Sequence, residues 1–271
     1  MNEPIIIQSS QIGPKVVILG GVHGNETCGV KVLDQLQNLT INKGQLTLMY
    51  GNPMAIKQNV RFVEQNLNRM FVPDQDLSIT MRQSYEYQRS REILPYLQAA
   101  DYLLDIHASF TPGSLPFIIC ESNGALIAQH FPHLMRCYGF AVIEPGGTDG
   151  FMNNNGKVGL CVECGYLADV ATNEIGYETA RSFLAALGLI DRKLTVNSLQ
   201  QVWDAYYLYH TKTNSFRLTK EFTDFEDVKP GQTIGYDGNE AVNAFQNEKV
   251  LFARNRDKIG DEAFILVKKA V

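Results

Sequence analysis

The sequence predicts an α/β protein: a mixed, largely parallel central sheet with helices on both faces over residues 1–192, and a small C-terminal all-β module over residues 193–271. Three observations predict it. Short apolar runs alternate with segments of helical spacing through the first two thirds of the chain. Glycine, proline and asparagine punctuate the junctions. After "LIDRKL" the helical spacing disappears, leaving only short apolar runs bounded by turn residues.

Taken in order, "PIIIQS" and "KVVILGG" read as strands, and Cys28, Val32, Leu33, Leu36 and Leu39 then fall at helical spacing. "QLTLMYG" is a strand stopped at Gly51 to Pro53. A polar loop leads to a helix around 81–99, which Pro95 should break or kink near its end. The strands "DYLLDIHAS", "LPFIICES" and "KVGLCVECG" follow, and the helix "NEIGYETARSFLAALG" should end at Gly188, placed as a cap. From about residue 195 the runs "QVWDAYYLYH" and "VLFARN" are separated by "KPGQ" and "YDGN". Asp237-Gly238 is a hairpin signal, and no helix is expected there.

Composition narrows the function. A net charge of -5 with no basic run argues against a nucleic-acid partner. No apolar stretch approaches the roughly 20 residues of a membrane span, and "MNEPIIIQSS" lacks the features of a signal peptide, so the expectation is a cytoplasmic protein with no membrane partner. A homodimer is admitted. Five scattered cysteines do not form a disulfide framework. In "CVEC", Cys161 and Cys164 are three apart on a strand and should face opposite sides, which disfavours a shared metal or disulfide.

The chemistry gathers at three strand ends, where open α/β sheets place their functional crevice. "GGVHGNE" sets His23 and Glu26 just past the end of "VVILG", and "DYLLDI" ends at His107. His, Glu and His offer zinc three N/O ligands and leave a fourth position for water, the arrangement of a catalytic site. Asp105 is a candidate partner for a ring N–H of His107. "KVGLCVE" ends at Glu163, a carboxylate that beside an activated water has the role of general base. Taken alone, His107 reads equally well as a satisfied histidine at a strand edge. The loop "GNPMAIKQNVRFVEQNLNRMF" concentrates the donors Asn52, Arg61, Asn68 and Arg69, which suit either a carboxylate-binding loop or a solvated surface loop.

In this order, "GGVHGNE", "NP.A......RF....LNR.F", "DIHAS" and "VECG" resemble the succinylglutamate desuccinylase and aspartoacylase family, relatives of the zinc carboxypeptidases. The resemblance covers most of the first 190 residues. It implies a zinc carboxypeptidase-like fold, one Zn2+ per chain held by His23, Glu26 and His107, Glu163 as general base, and Arg61 as the group that stabilises the oxyanion. It further implies Asn68 and Arg69 as the grip on a substrate carboxylate and the β-rich tail as the cover of the site, while Asn52, from the donors of the loop, is expected to bind substrate beside them. The expected reaction is hydrolysis of the amide of a small N-acyl amino acid. A carboxypeptidase-like peptidase and a non-catalytic binding protein are the alternatives.

Three departures bear on the substrate. The family's usual Asp-Leu-Asn-Arg is Asn66-Leu67-Asn68-Arg69 here, and Asn153 stands near an arginine of the aspartoacylases. A tail tyrosine of theirs falls near Asp257 or Lys258. N-acetylaspartate therefore fits poorly, and a different N-acyl amino acid fits better.

Overall fold

A computed structural model describes residues 3–270. In chain order, the elements before residue 190 are β1 (Ile5–Gln8), β2 (Lys15–Gly20), α1 (Thr27–Leu36), β3 (Gln45–Tyr50), α2 (Pro53–Gln58), α3 (Ile79–Arg82), α4 (Tyr85–Ala99), β4 (Tyr102–Ser109), β5 (Phe117–Cys120), α5 (Ala125–Ala128), β6 (Met135–Tyr138), α6 (Phe140–Ile143), α7 (Thr148–Asn154), β7 (Val158–Tyr166) and α8 (Ala171–Ala186). The tail adds β8 (Gln201–His210), β9 (Phe216–Leu218), β10 (Glu226–Val228), β11 (Thr233–Asp237), β12 (Glu240–Asn243), β13 (Glu248–Leu251) and β14 (Glu262–Lys269). No helix follows residue 195 among the described residues, as the sequence predicts.

One sheet runs in the order β1-β3-β2-β4-β7-β5-β6-β8-β14-β13-β10. Its centre, β3-β2-β4-β7, is parallel. These strands are rich in Val, Ile and Leu because both faces are covered. On one face Cys28, Val32, Leu33 and Leu36 of α1 and Ala180, Phe183 and Leu184 of α8 pack on Val16, Ile18, Leu104, Ile106, Leu160 and Val162. On the other, Ile93 and Leu97 of α4 and Met152 of α7 pack on Val17, Leu19 and Leu103. The helices thus lie on both faces of a mixed, largely parallel central sheet.

The tail is less separate than its composition suggests. β8, β14, β13 and β10 continue the central sheet through the parallel β6–β8 pair, and only β9, β11 and β12 form a second, three-stranded antiparallel sheet. Asp237-Gly238 does open a hairpin between β11 and β12, with Gly238 at φ +61°.

Two local expectations meet different outcomes. Gly188 closes α8 as predicted: it has φ +71°, its N–H reaches Ala185, and the Leu189 N–H reaches Leu184. Pro95 does not break α4, which runs on to Ala99. The ring removes one backbone bond, the one its missing N–H would make to the Arg91 carbonyl, and the helix continues past it. There, Ile93 and Leu97 are buried on the sheet, and Lys157 Nζ donates to the carbonyls of Leu97, Gln98 and Ala100.

Close packing sets the stage for the site. A methyl group added to Gly20 would lie 2.5 Å from the backbone of Gly29, so α1 sits directly against the tip of β2 and carries Glu26, at its N-terminus, over the sheet edge.

His133 supplies a pH-dependent stability term away from that edge. It is buried, its Nε2 lies 2.6 Å from Thr179 Oγ1, and burial lowers its pKa to about 4. The unfolded chain takes up this proton near pH 6.5, the folded chain only near pH 4. The stability it contributes is therefore present above pH 6.5 and lost as pH falls toward 4, about 3 kcal/mol in all. Urea unfolding at pH 7 and pH 4.5 checks this: the loss on acidification is smaller in His133→Gln than in the native chain by roughly that amount.

Candidate active site

The register of the parallel strands brings the three sequence-predicted strand tips together. Gly20 pairs with Ile106, and His107 pairs with Glu163 directly across the β4–β7 ladder. Alternation along β4 and β7 sends Leu104, Ile106, Leu160 and Val162 into the α1/α8 core and leaves Asp105, His107, Cys161 and Glu163 on the opposite face. Cys161 and Cys164 accordingly separate, with Cys164 in that core and Cys161 on the site side.

His23, Glu26 and His107 are buried and offer ligand atoms within 4.8 Å of one another. His23 Nδ1 lies 2.9 Å from Glu26 Oε1, without hydrogen-bond geometry between them. His107 Nδ1 lies 2.9 Å from Glu26 Oε2. The outer ring nitrogens settle the tautomers. Asn66 Oδ1 accepts from the Asn68 N–H and lies 3.0 Å from His23 Nε2, so that nitrogen carries the proton. Asp105 Oδ2 lies 3.2 Å from His107 Nε2 and is itself held by Thr148 Oγ1 at 2.5 Å; the angle at His107 is poor for a hydrogen bond, but the charge still favours a proton there.

The inner nitrogens of both rings face the Glu26 carboxylate, with His107 Nδ1 in hydrogen-bond contact with it, and this convergence of donors on one carboxylate calls for positive charge at the same point. The same demand shows in His107: burial opposes its protonation, yet Asp105 and Glu26 hold its pKa well above the histidine range. His23 goes the other way, to about 4, through burial and the Arg61 charge. Two imidazoles and one carboxylate fit zinc, the donor set of a site with an open position.

Glu163 stands at the rim of this cluster. It is buried, its Oε2 has no hydrogen-bond partner, and burial together with the Glu26 charge pushes its pKa well above the carboxylate range. Arg61 reaches in from the loop and donates from Nη1 to Glu26 Oε1 at 2.8 Å, remaining partly exposed. A cavity opens onto these groups, with Asn68, Phe110, Phe140, Asp149, Phe252, Arg254 and Phe264 on its walls. Burial and the nearby Asp105 raise Asp149 to about 6.

The loop residues divide. Arg61 and Asn68 face the cavity. Asn52 does not: it is fully buried, its Oδ1 caps α2 by accepting from Ala55 N at 3.1 Å, and its Nδ2 donates to Glu86. Its expected contact with substrate is thereby corrected, since both ends of the amide serve the fold. Arg69 lines the cavity, but its fork is engaged, with Nε and Nη2 on Glu262 at 2.8 and 2.7 Å and Nη2 also on Glu144 at 2.6 Å. The sequence points to the loop from residue 144 and to the tail as walls of the pocket but does not single out Glu144, Glu262 or Arg254, because no motif marks Glu144 and nothing local marks a tail residue as belonging to a cleft formed 100 residues earlier. Asn153 pairs with the Gly159 backbone, and Asp257 and Lys258 are exposed.

Residues 12–187 match the model of the succinylglutamate desuccinylase/aspartoacylase catalytic domain. The chain belongs to this family. Among its relatives, a probable aspartoacylase of Nostoc sp. is 26% identical over 267 residues, covering 84% of this chain and 88% of that one. An N-acyl-aromatic-L-amino acid amidohydrolase (carboxylate-forming) of Mus musculus is 31% identical over 169 residues, 56% of this chain and 52% of the relative. The fold is shared with a succinylglutamate desuccinylase of Vibrio parahaemolyticus, at a TM-score of 0.78 and 15% identity over 97% of this chain and 83% of that one. Family members of this kind hydrolyse N-acyl amino acids. No helix among the described residues is long and apolar enough to cross a membrane.

Proposed function

We propose that this chain hydrolyses the amide bond of a small N-acyl amino acid, with one zinc ion held by His23, Glu26 and His107 and with Glu163 as general base. Residues 1–192 form the catalytic unit in this reading and residues 193–271 the cover. The observation that carries it is the buried, unpartnered Oε2 of Glu163, paired in register with His107 and bordering the triad. A buried acid without a partner is costly unless it has chemistry to do. The donor set supports the metal.

When bound, zinc acidifies a water toward neutrality and polarises the scissile carbonyl. Glu163 takes the proton of the attacking water at Oε2 and returns it to the leaving nitrogen. Its raised pKa suits the second of these transfers as well as the first. Arg61, already anchored on Glu26, turns its remaining donors to the carbonyl oxygen as negative charge grows there. Asn68 hydrogen-bonds the substrate from the cavity wall, and Asn66 and Asp105 keep the two imidazoles in their tautomers.

The tail favours a deacylase over a peptidase. Phe252, Arg254, Glu262 and Phe264 wall the cavity from the tail side, which favours a small substrate over a running peptide chain. A panel of N-acetyl, N-succinyl and N-formyl amino acids set beside dipeptides tests the reading. Release of the acyl group from at least one N-acyl amino acid is expected; release only of C-terminal residues from peptides overturns it.

A further inference from the structure

A substrate that is an N-acyl amino acid brings a carboxylate into this cavity, and Arg69 is poorly placed to receive it. Its guanidinium already lies between two carboxylates, Glu262 and Glu144, which leaves the trio one negative charge in excess. Arg61 is tied to Glu26. Arg256 donates from Nε to the Glu262 carbonyl at 2.5 Å.

One guanidinium on the cavity wall is differently situated. Arg254 lies three residues past the end of the tail strand β13, its backbone N–H fixed on the Ala263 carbonyl at 3.0 Å. Its guanidinium carbon lies over the Phe110 ring, 4.1 Å from the centroid, a cation–π contact that holds the group while consuming none of its N–H donors. Its Nε is buried without a hydrogen-bond partner, and no ion pair engages the group among the described residues. Burial, and after it the charges of Arg256 and Arg61, lower its pKa to about 9, so it stays protonated at neutral pH, with Glu262 and Glu144 acting on it from a distance and not as direct ion-pair partners.

Resting on the deacylase reading, we propose that Arg254, supplied by the tail, binds the carboxylate of the substrate, and that Arg69 instead braces Glu144 against Glu262. The ligand is a monoanionic, planar carboxylate, which a guanidinium fork matches with two parallel hydrogen bonds. A phosphate dianion is disfavoured by Glu144, Glu163 and Glu262 on the same walls. Phe110, Phe140, Phe252 and Phe264 give the rest of the substrate an apolar bed. The carboxylate belongs either to the amino acid or to the far end of a dicarboxylic acyl group, and both present the same chemistry to Arg254.

Calorimetric binding to the zinc-loaded full chain separates these cases, with N-acetyl-L-phenylalanine, its carboxamide, and N-succinyl-L-phenylalaninamide as probes. The native protein is expected to bind at least one of the two acids more tightly than the neutral amide by about 10- to 100-fold, and the acid preferred identifies which carboxylate is read. Arg254→Met abolishes that ratio, Arg254→Lys retains part of it, and Arg69→Met leaves it standing. In turnover, Arg254→Met raises KM for the acid with kcat little changed. A purely structural role for Arg254 would weaken acid and amide alike and leave the ratio intact, and that result overturns the proposal. So does loss of the ratio in Arg69→Met alone, or absence of any acid preference in the native chain. The binding arms, with Arg254 and Arg69 native or substituted, are run in the Glu163→Gln background, where the general base is absent and the probes stay intact, so a protein that binds the acids through Arg254 while the chain with Glu163 releases no acyl group refutes the hydrolase and leaves the carboxylate site standing.

Discussion

Glu163→Gln lowers kcat by about three orders of magnitude while zinc content and fold are retained. The glutamine keeps the volume and the place opposite His107 but accepts no proton, and general acid–base groups contribute about 10²- to 10⁴-fold. The lower end of that range is exceeded because one carboxylate serves both proton transfers. The variant should also be at least as stable as the native protein. Glu163 in its charged form is buried and repelled by Glu26, a cost that a neutral amide escapes. Loss of rate together with an unchanged or higher Tm is thus the signature of a residue kept for chemistry. Turnover surviving at native levels in the zinc-loaded variant removes Glu163 from the mechanism.

His107→Ala and His23→Ala abolish metal binding and with it activity. Each removes one of three ligands, and two protein ligands are too few for a catalytic zinc site. Asn66, Asp105 and Thr148 orient the imidazoles, and Cys161 is a thiol whose pKa burial and the Glu163 charge hold well above its ordinary value. Elemental analysis should give about one zinc per native chain and almost none in either variant. Chelation of the native protein should lower Tm as well as rate, because binding to the folded state alone adds about 4 kcal/mol when zinc is 1,000-fold above its Kd. Added zinc restores the native chain and neither variant. Equal metal content in native and variant proteins contradicts ligation by these rings.

Much of the site was legible because strand ends carry it. An apolar run that stops on a histidine or a glutamate identifies both the element and the tip, and three such tips with the loop motif between them, in one order, identify the family. What the runs do not encode is register: nothing in "DYLLDIH" or "KVGLCVE" says that His107 and Glu163 lie opposite each other, although the whole mechanism depends on it. Asn52 was misleading because asparagine before proline is also a helix start, and here the amide caps α2 with Pro53 in its first turn. The short helices α2, α5, α6 and α7, of four to seven residues, are too brief to show a 3.6-residue period. The joining of tail to sheet rests on β6, a four-residue strand that no pattern announces. The Arg69–Glu144–Glu262 cluster spans 193 residues of sequence and exists only once the tail has folded back.

X-ray absorption at the zinc K edge of the stoichiometrically loaded protein tests the central claim most directly. The account predicts a shell of nitrogen and oxygen alone at about 2.0–2.1 Å, with the scattering pattern of two imidazoles and one position left to solvent, and loss of that pattern in His107→Ala. A sulfur neighbour at about 2.3 Å, or a spectrum identical in native and variant proteins, would contradict it.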